Sequence, residues 1–363
     1  MTAPADAQRR GAFSRIAFAV YVALTAYASL YPLEGWREHA ASPFEYLFAA
    51  WPPRYVSRFD MAVNVLGYVP FGWLCAAALY PRVRGAAGFV VAALAGAALS
   101  ILLEAGQTYL PTRDASNLDV ACNAAGAALG ALVAWLFLPW TLEHGPLRRL
   151  RNAVFLRGTE VDLGLVLIAL WLFVQLNPAT LLFGAGSLRD LFAVPEGRAR
   201  PVEFFVLVET LTAAANVVAV GLLLSCLAAR EAPVRALFLA LVAGALAIKA
   251  GAFALLMRAD SVLGWLTPGA QLGLVCGLAL GLAALSLPRT AQLAAAAVLL
   301  MAGTVVVNLA PPNPYLAATF KVWQQGHFLN FNGLTRVVSA AWPYAALGYL
   351  IYLAARRPRE PVR

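Results

Sequence analysis

The feature that most limits what this chain can fold into is a series of long apolar runs recurring from one end to the other. They fall at about 13–31, 59–80, 86–110, 118–139, 161–182, 202–228, 234–257, 262–287, 290–310 and 336–355. A bilayer core about 30 Å thick takes about 20 apolar residues in helical form, because each residue rises about 1.5 Å. Inside a membrane every backbone N–H and C=O must find a partner within the protein, and a helix meets that demand within one segment. The runs are rich in Leu, Ala and Gly and lack the period of two that barrel strands show. The predicted fold class is therefore all-α, a polytopic transmembrane helical bundle of about ten spans. Composition agrees, since 61% hydrophobic and only 12% charged residues leave too little polar surface for a water-soluble domain.

The arginines give the expected orientation. If the N-terminus lies inside, the inner segments carry sixteen arginines, Arg9, Arg10, Arg15, Arg82, Arg84, Arg148, Arg149, Arg151, Arg157, Arg230, Arg235, Arg289, Arg356, Arg357, Arg359 and Arg363, and the outer segments and span starts carry ten cations. Basic residues stay preferentially on the cytoplasmic side, so both termini are expected in the cytoplasm of a multi-pass protein of a bacterial cytoplasmic (inner) membrane. The net charge of +9 then reports topology and a match to anionic membrane lipids. No nucleic-acid motif accompanies it, and nucleic acid is excluded as a partner. Arg9 and Arg10 followed by an apolar run ending in Ala26-Tyr27-Ala28 mimic a signal peptide, but the run is long enough to span and is read as an uncleaved first helix. Cys75, Cys122, Cys226 and Cys276 all fall inside runs and are expected to be buried apolar groups, outside any disulfide or zinc site. His39, His144 and His327 are read as solvated loop residues.

Against this background one stretch stands apart: "SILLEAGQTYLPTRDASNLDVACNAAGAALG", residues 100–130. Glu104 and Gln107 lie in the last turns of the third run, Arg113 and Asp114 in the short loop after it. Asp119 and Asn123 are four apart at the start of the fourth run and share a helix face with Gly126 and Gly130. Asp60 and Asn64 repeat that spacing at the start of the second run. All eight groups belong near one depth, on the side predicted to face outward, with small residues letting three helices approach.

These residues also carry a resemblance. "FDMAVNVLGYVPFG" followed by the 100–130 stretch resembles the VanZ family of bacterial membrane proteins. Its pattern is an acid-then-polar pair before a helix with Pro and Gly, then E-x-x-Q, a loop Arg, and D-x-x-x-N-x-x-G. Glu104, Gln107, Arg113, Asp119, Asn123, Gly126 and Gly130 match it; many members carry His where this chain has Asn64. The resemblance covers about residues 13–140. It implies a four-helix domain of the cell envelope, some members being linked to teicoplanin resistance, and it implies no particular reaction.

The cluster admits several readings. Buried acids are costly, about 2.5 to 3.5 kcal/mol on insertion scales, so they are paired or functional. In the structural reading Arg113 and the amides satisfy Asp60, Glu104 and Asp119 and tie helices together. In the binding reading the cluster holds an anionic lipid or glycan-linked headgroup, with Arg113 on a phosphate, which makes membrane lipids or a lipid-linked envelope precursor the expected partners. Oxygen donors alone suit a hard cation, Mg²⁺ or Ca²⁺, at Asp60, Glu104 and Asp119. An enzyme would use Glu104 as its acid, but Ser116 and Thr108 have no nearby His base, so the reading leans away from catalysis. A transporter remains a further reading.

The chain is organised as a four-helix membrane domain at 1–140, a basic cytoplasmic connection at 141–160 and a six-helix membrane domain at 161–363. The second domain carries echoes of the first: Glu104-Ala-Gly followed by Arg113 and Ser116 has the spacing of Lys249-Ala-Gly followed by Arg258 and Ser261. That suggests a degenerate parallel four-helix repeat plus two further spans. Lys249 is expected either to pair with Glu104 across the repeats or to snorkel outward. The segment 313–337 alternates aromatics and amides and is read as an interfacial helix anchored by Trp323, Phe328 and Phe331, with a lid over the first bundle as the alternative.

Overall fold

The computed structural model describes residues 12–38, 42–51, 53, 57–141, 145–189, 200–257, 262–311, 313 and 329–356. Among them the chain forms helices α1 (Ala12–Leu30), α2 (Arg58–Leu79), α3 (Gly85–Gln107), α4 (Asn117–Pro139), α5 (Pro146–Val154) and α6 (Thr159–Val174). After these come α7 (Val202–Leu227), α8 (Val234–Leu256), α9 (Pro268–Ala284), α10 (Arg289–Leu309) and α11 (Leu329–Ala355). Eight of these helices are long and apolar enough to cross a membrane. The chain divides into two compact units, Met1–Ala153 and Val154–Arg363, and the division falls inside the connection expected at 141–160. That connection contains α5, a short helix whose last turn carries Arg151.

In the first unit α2 and α4 pack backbone against backbone. A Cβ at Gly126 would run into the Val65 carbonyl, one at Gly130 into the Val69 carbonyl, and one at Gly72 into the Ala127 carbonyl. Lipid tails are as apolar as Leu, so helices gain little by hiding Leu from them and associate instead through close van der Waals contact and polar bonds. Ser57 caps α2 by accepting from the Asp60 N–H, and Ser116 caps α4 by accepting from Leu118 and Asp119, which fixes where both helices begin. The outermost helix α1 is held by Tyr21, whose hydroxyl donates to the Gly67 carbonyl at 2.6 Å, and by an edge-to-face contact of Phe18 on Phe71. Leu66, Leu94, Leu102 and Leu136 point outward, as lipid-facing side chains should.

The second unit is built around α7, where Ala213, Val217, Val218, Ala219, Val220, Leu222 and Leu223 are all buried. Gly269, Gly273 and Gly277 on α9 seat that helix against Val206, Thr210 and Ala214 of α7, the same device as in the first unit. Helix α11 is tied to the α6 side by Trp342, donating Nε1 to the Leu167 carbonyl at 2.7 Å, and by Tyr349, donating to the Glu160 carbonyl at 2.7 Å.

Several expectations are corrected here. The run at 161–182 is helical only to Val174, because proline disfavours helical backbone in the residue before it and the chain turns at Asn177-Pro178. Helix α9 starts at Pro268, not 262, since Thr267 caps it and proline suits its first turn. The two helices have 16 and 17 residues. The last helix begins at Leu329, so residues 329–337 of the expected interfacial segment belong to α11, and Phe331 packs edge-on against Phe173 at 6.0 Å. Trp323 and Phe328 lie outside the described residues, as do His39, His144 and His327. Cys75, Cys122 and Cys226 are buried, but Cys276 is exposed, standing to the side of the glycine face by which α9 meets α7.

Candidate functional site

The polar groups of the first unit gather at the end where α2 and α4 start and α3 stops. They lie in two layers. In the shallow layer Asn64 on α2 donates Nδ2 to Asp119 Oδ1 on α4 at 2.8 Å, with Asp60 exposed one turn earlier. The Asp60 and Asp119 carboxylates are close enough to repel. In the deep layer Glu104 is 4% exposed and accepts the Ser116 N–H at 2.9 Å, so one carboxylate oxygen joins the end of α3 to the cap of α4. Beneath it Asn123 donates Nδ2 to Ser100 Oγ at 2.9 Å, while its own Oδ1 is buried without a hydrogen-bond partner and the Tyr68 hydroxyl lies beside the same Ser100.

Arg113 does something else. Its Nε donates to the Tyr31 carbonyl and its Nη2 to the Ala28 carbonyl, both at 3.1 Å, and Gln107 donates Nε2 to the Ser29 carbonyl at 3.1 Å. The last carbonyls of a helix have no partner within it and form the negative end of its dipole. Arg113 and Gln107 therefore clamp the end of α1, and the guanidinium makes no ion pair with Glu104. Burial lowers the Arg113 pKa from its usual value, and the neighbouring Glu104 charge acts in the opposite direction. The same charge, after burial, raises the pKa of Tyr46, whose hydroxyl donates to the Ile101 carbonyl at 2.9 Å.

Tyr46 belongs to a 3-10 turn at Glu45–Phe48 in the segment before α2. Asn117 holds that segment by donating to the Ala49 carbonyl at 3.0 Å. It presents Phe44, Phe48 and Trp51 to the exterior, with Phe48 88% exposed. Exposed aromatics beside a polar cluster suit the membrane–water interface. Asp114 is exposed in its loop and takes no part in the cluster's hydrogen bonds. Among the described residues no three His, Cys, Asp or Glu side chains form a group that could hold a metal ion. Sequence reasoning missed Ser100 and Tyr68. Ser100 was visible as the residue one turn before Glu104, on the same face.

This arrangement sits in the part of the chain that matches a known family. Residues 11–138 match the VanZ/LLP1 family model. The VanZ-like unit thus takes in α1 to α4 and every residue of the cluster. No curated protein and no solved structure matches the chain.

The second unit has polar groups at comparable places. Lys249 on α8 is fully buried and donates to the Asn177 carbonyl at 2.7 Å, the Thr180 carbonyl at 2.8 Å and the Thr180 hydroxyl at 3.1 Å. Neither expectation for Lys249 holds: it does not snorkel and does not pair with Glu104, because the non-helical backbone after α6 offers carbonyls that need a donor. As with Arg113, a cation serves backbone carbonyls, here three and six residues beyond the end of α6. Glu209 on α7 accepts from Thr267, the cap of α9, and from Asn313 at 3.3 Å.

Proposed function

We propose that this VanZ-like membrane protein binds a headgroup of the cell envelope at the Glu104 end of its first unit, and that the glycan-linked class fits better than a bare anionic lipid. The observation that carries this is Glu104 itself, a buried carboxylate whose fold partner is one backbone N–H, while the nearby guanidinium is committed to the carbonyls of α1. Near it is Asn123 Oδ1, buried with no partner. Leaving such groups unmatched costs about 1 to 3 kcal/mol each, so a ligand that supplies donors gains by matching them. Sugar hydroxyls and amines can donate; a phosphate brings only acceptors to an end of the unit that already carries Asp60, Glu104 and Asp119. An amphiphile with such a headgroup would enter past Phe44, Phe48 and Trp51 and leave its tail in lipid. The cluster end would then face outward in the cytoplasmic membrane of a bacterium, both termini inside, and occupancy of an envelope precursor would alter glycopeptide (teicoplanin) susceptibility.

The test is native mass spectrometry of the purified full-length protein with a synthetic lipid-linked disaccharide, comparing wild type with Glu104→Gln. The reading expects adducts on wild type and about tenfold fewer on the variant at unchanged melting temperature. Equal adducts on both, or none on wild type, overturn it. A susceptibility assay of the same variant in a strain that depends on the protein reports the phenotype.

A further inference from the structure

At the opposite end of the VanZ-like unit, where α2 and α4 stop and α3 begins, the helices do not close. A groove of about 340 Å³ runs between them. Ala76, Gly88, Ala131 and Ala134 line it with side chains too short to fill the space, and Phe89 and Trp135, whose ring centroids lie 6.0 Å apart, pack on each other along its side. Arg84 lines its mouth and is exposed, and Arg82 stands exposed two residues before it. Neither arginine makes a side-chain hydrogen bond or ion pair to a described residue, unlike Arg113 at the other end, which spends its donors on carbonyls. Further basic side chains follow on α5, where Arg149 is exposed.

We infer that this groove is a site for an anionic phospholipid, one acyl chain lying over Ala76, Gly88, Ala131 and Ala134 alongside the paired rings of Phe89 and Trp135, and the phosphate held by Arg84 with Arg82. The volume is in the range of ligand pockets, and the lining is mostly small and aromatic side chains, with Tyr80 among them and Arg84 at the mouth, a polarity that suits a lipid chain joined to an anionic headgroup. Guanidinium binds phosphate by two parallel hydrogen bonds, and basic pockets between spans select anionic headgroups. Trp135 is half exposed at the rim, suited to the depth where chain meets headgroup. The site is independent of the headgroup site at Glu104 and carries the opposite charge.

The experiment uses the full-length protein in detergent, titrated with phosphatidylglycerol or phosphatidylcholine of the same chains and read by native mass spectrometry. Wild type is expected to retain phosphatidylglycerol about tenfold better than phosphatidylcholine, and the doubly substituted Arg82→Gln, Arg84→Gln protein to lose that preference. Val83→Phe, which fills the groove from its rim, is expected to lower retention of both lipids while the arginines remain. Melting without added lipid identifies a variant that has merely misfolded, and if the double variant melts early, Arg84→Lys replaces it, with a smaller loss expected because ammonium lacks the fork. Equal retention of the two lipids by wild type, or an undiminished preference in the arginine variant of normal melting, overturns the assignment.

Discussion

Gly126 lies directly beneath the Val65 carbonyl, with no room for a side chain between helix α4 and helix α2. Gly130 stands in the same relation to Val69 one turn on, so two successive turns hold the helices at backbone contact. Gly126→Ala must therefore push the helices apart, at a cost of about 1 to 3 kcal/mol for overpacking, and the melting temperature of the purified protein should fall. Gly67→Ala, at a position with open space around it, should melt at or slightly above wild type. Equal melting of the two variants would show that the close approach does not matter.

The Asn64–Asp119 bond crosses the same helix pair. A double-mutant cycle with Asn64→Ala and Asp119→Ala should return a coupling of about 1 to 2 kcal/mol, since the acceptor is a carboxylate. A coupling near zero would mean that the two side chains stabilise the fold independently.

For Arg113→Ala the expected loss is about 2 to 4 kcal/mol, from two donors removed from carbonyls at a helix end. With that end less firmly held, limited proteolysis should nick the C-terminal end of α1 first. Replacing Glu104 in addition should not rescue the variant; rescue would show that the guanidinium and carboxylate form a pair after all.

Lys249→Met keeps the length and apolar stem of the side chain and removes its donors. The Asn177 and Thr180 carbonyls would then be buried with one donor fewer, and the second unit should lose about 2 to 5 kcal/mol, read as early melting or low yield of inserted protein. Normal melting of this variant would mean that the segment after α6 finds other donors.

How much of this was legible in the sequence depends on the kind of partner a residue takes. Gly126 and Gly130, four apart on an apolar helix, announced a close helix contact, and Asp119 and Asn123 announced a shared polar face. Their placement at the same end as Asp60 and Asn64 followed from where the runs begin. Arg113 and Lys249 were harder, because a sequence shows which side chains are charged and hides which backbone carbonyls are left over. Arg113 was expected to meet the acids or a phosphate and Lys249 to pair with Glu104 or snorkel, and each found carbonyls. The early end of α6 was legible at Asn177-Pro178; hydropathy ran past it because the residues beyond remain apolar even where the backbone is no longer helical.

That buried, non-helical backbone also imposes an order on how the protein is made. Helix α6 and the segment after it leave the ribosome with a Thr180 carbonyl that no described residue of its own stretch supplies with a donor, and an Asn177 carbonyl that has only the Thr180 hydroxyl. The lysine that does so comes 72 residues after Asn177, and the Thr335 hydroxyl that accepts from the Asn177 side chain comes 158 residues after it. Until α8 is synthesised the segment's hydrogen bonds must be met by water or by the insertion machinery, so α6 can settle into lipid only as part of a group with later helices.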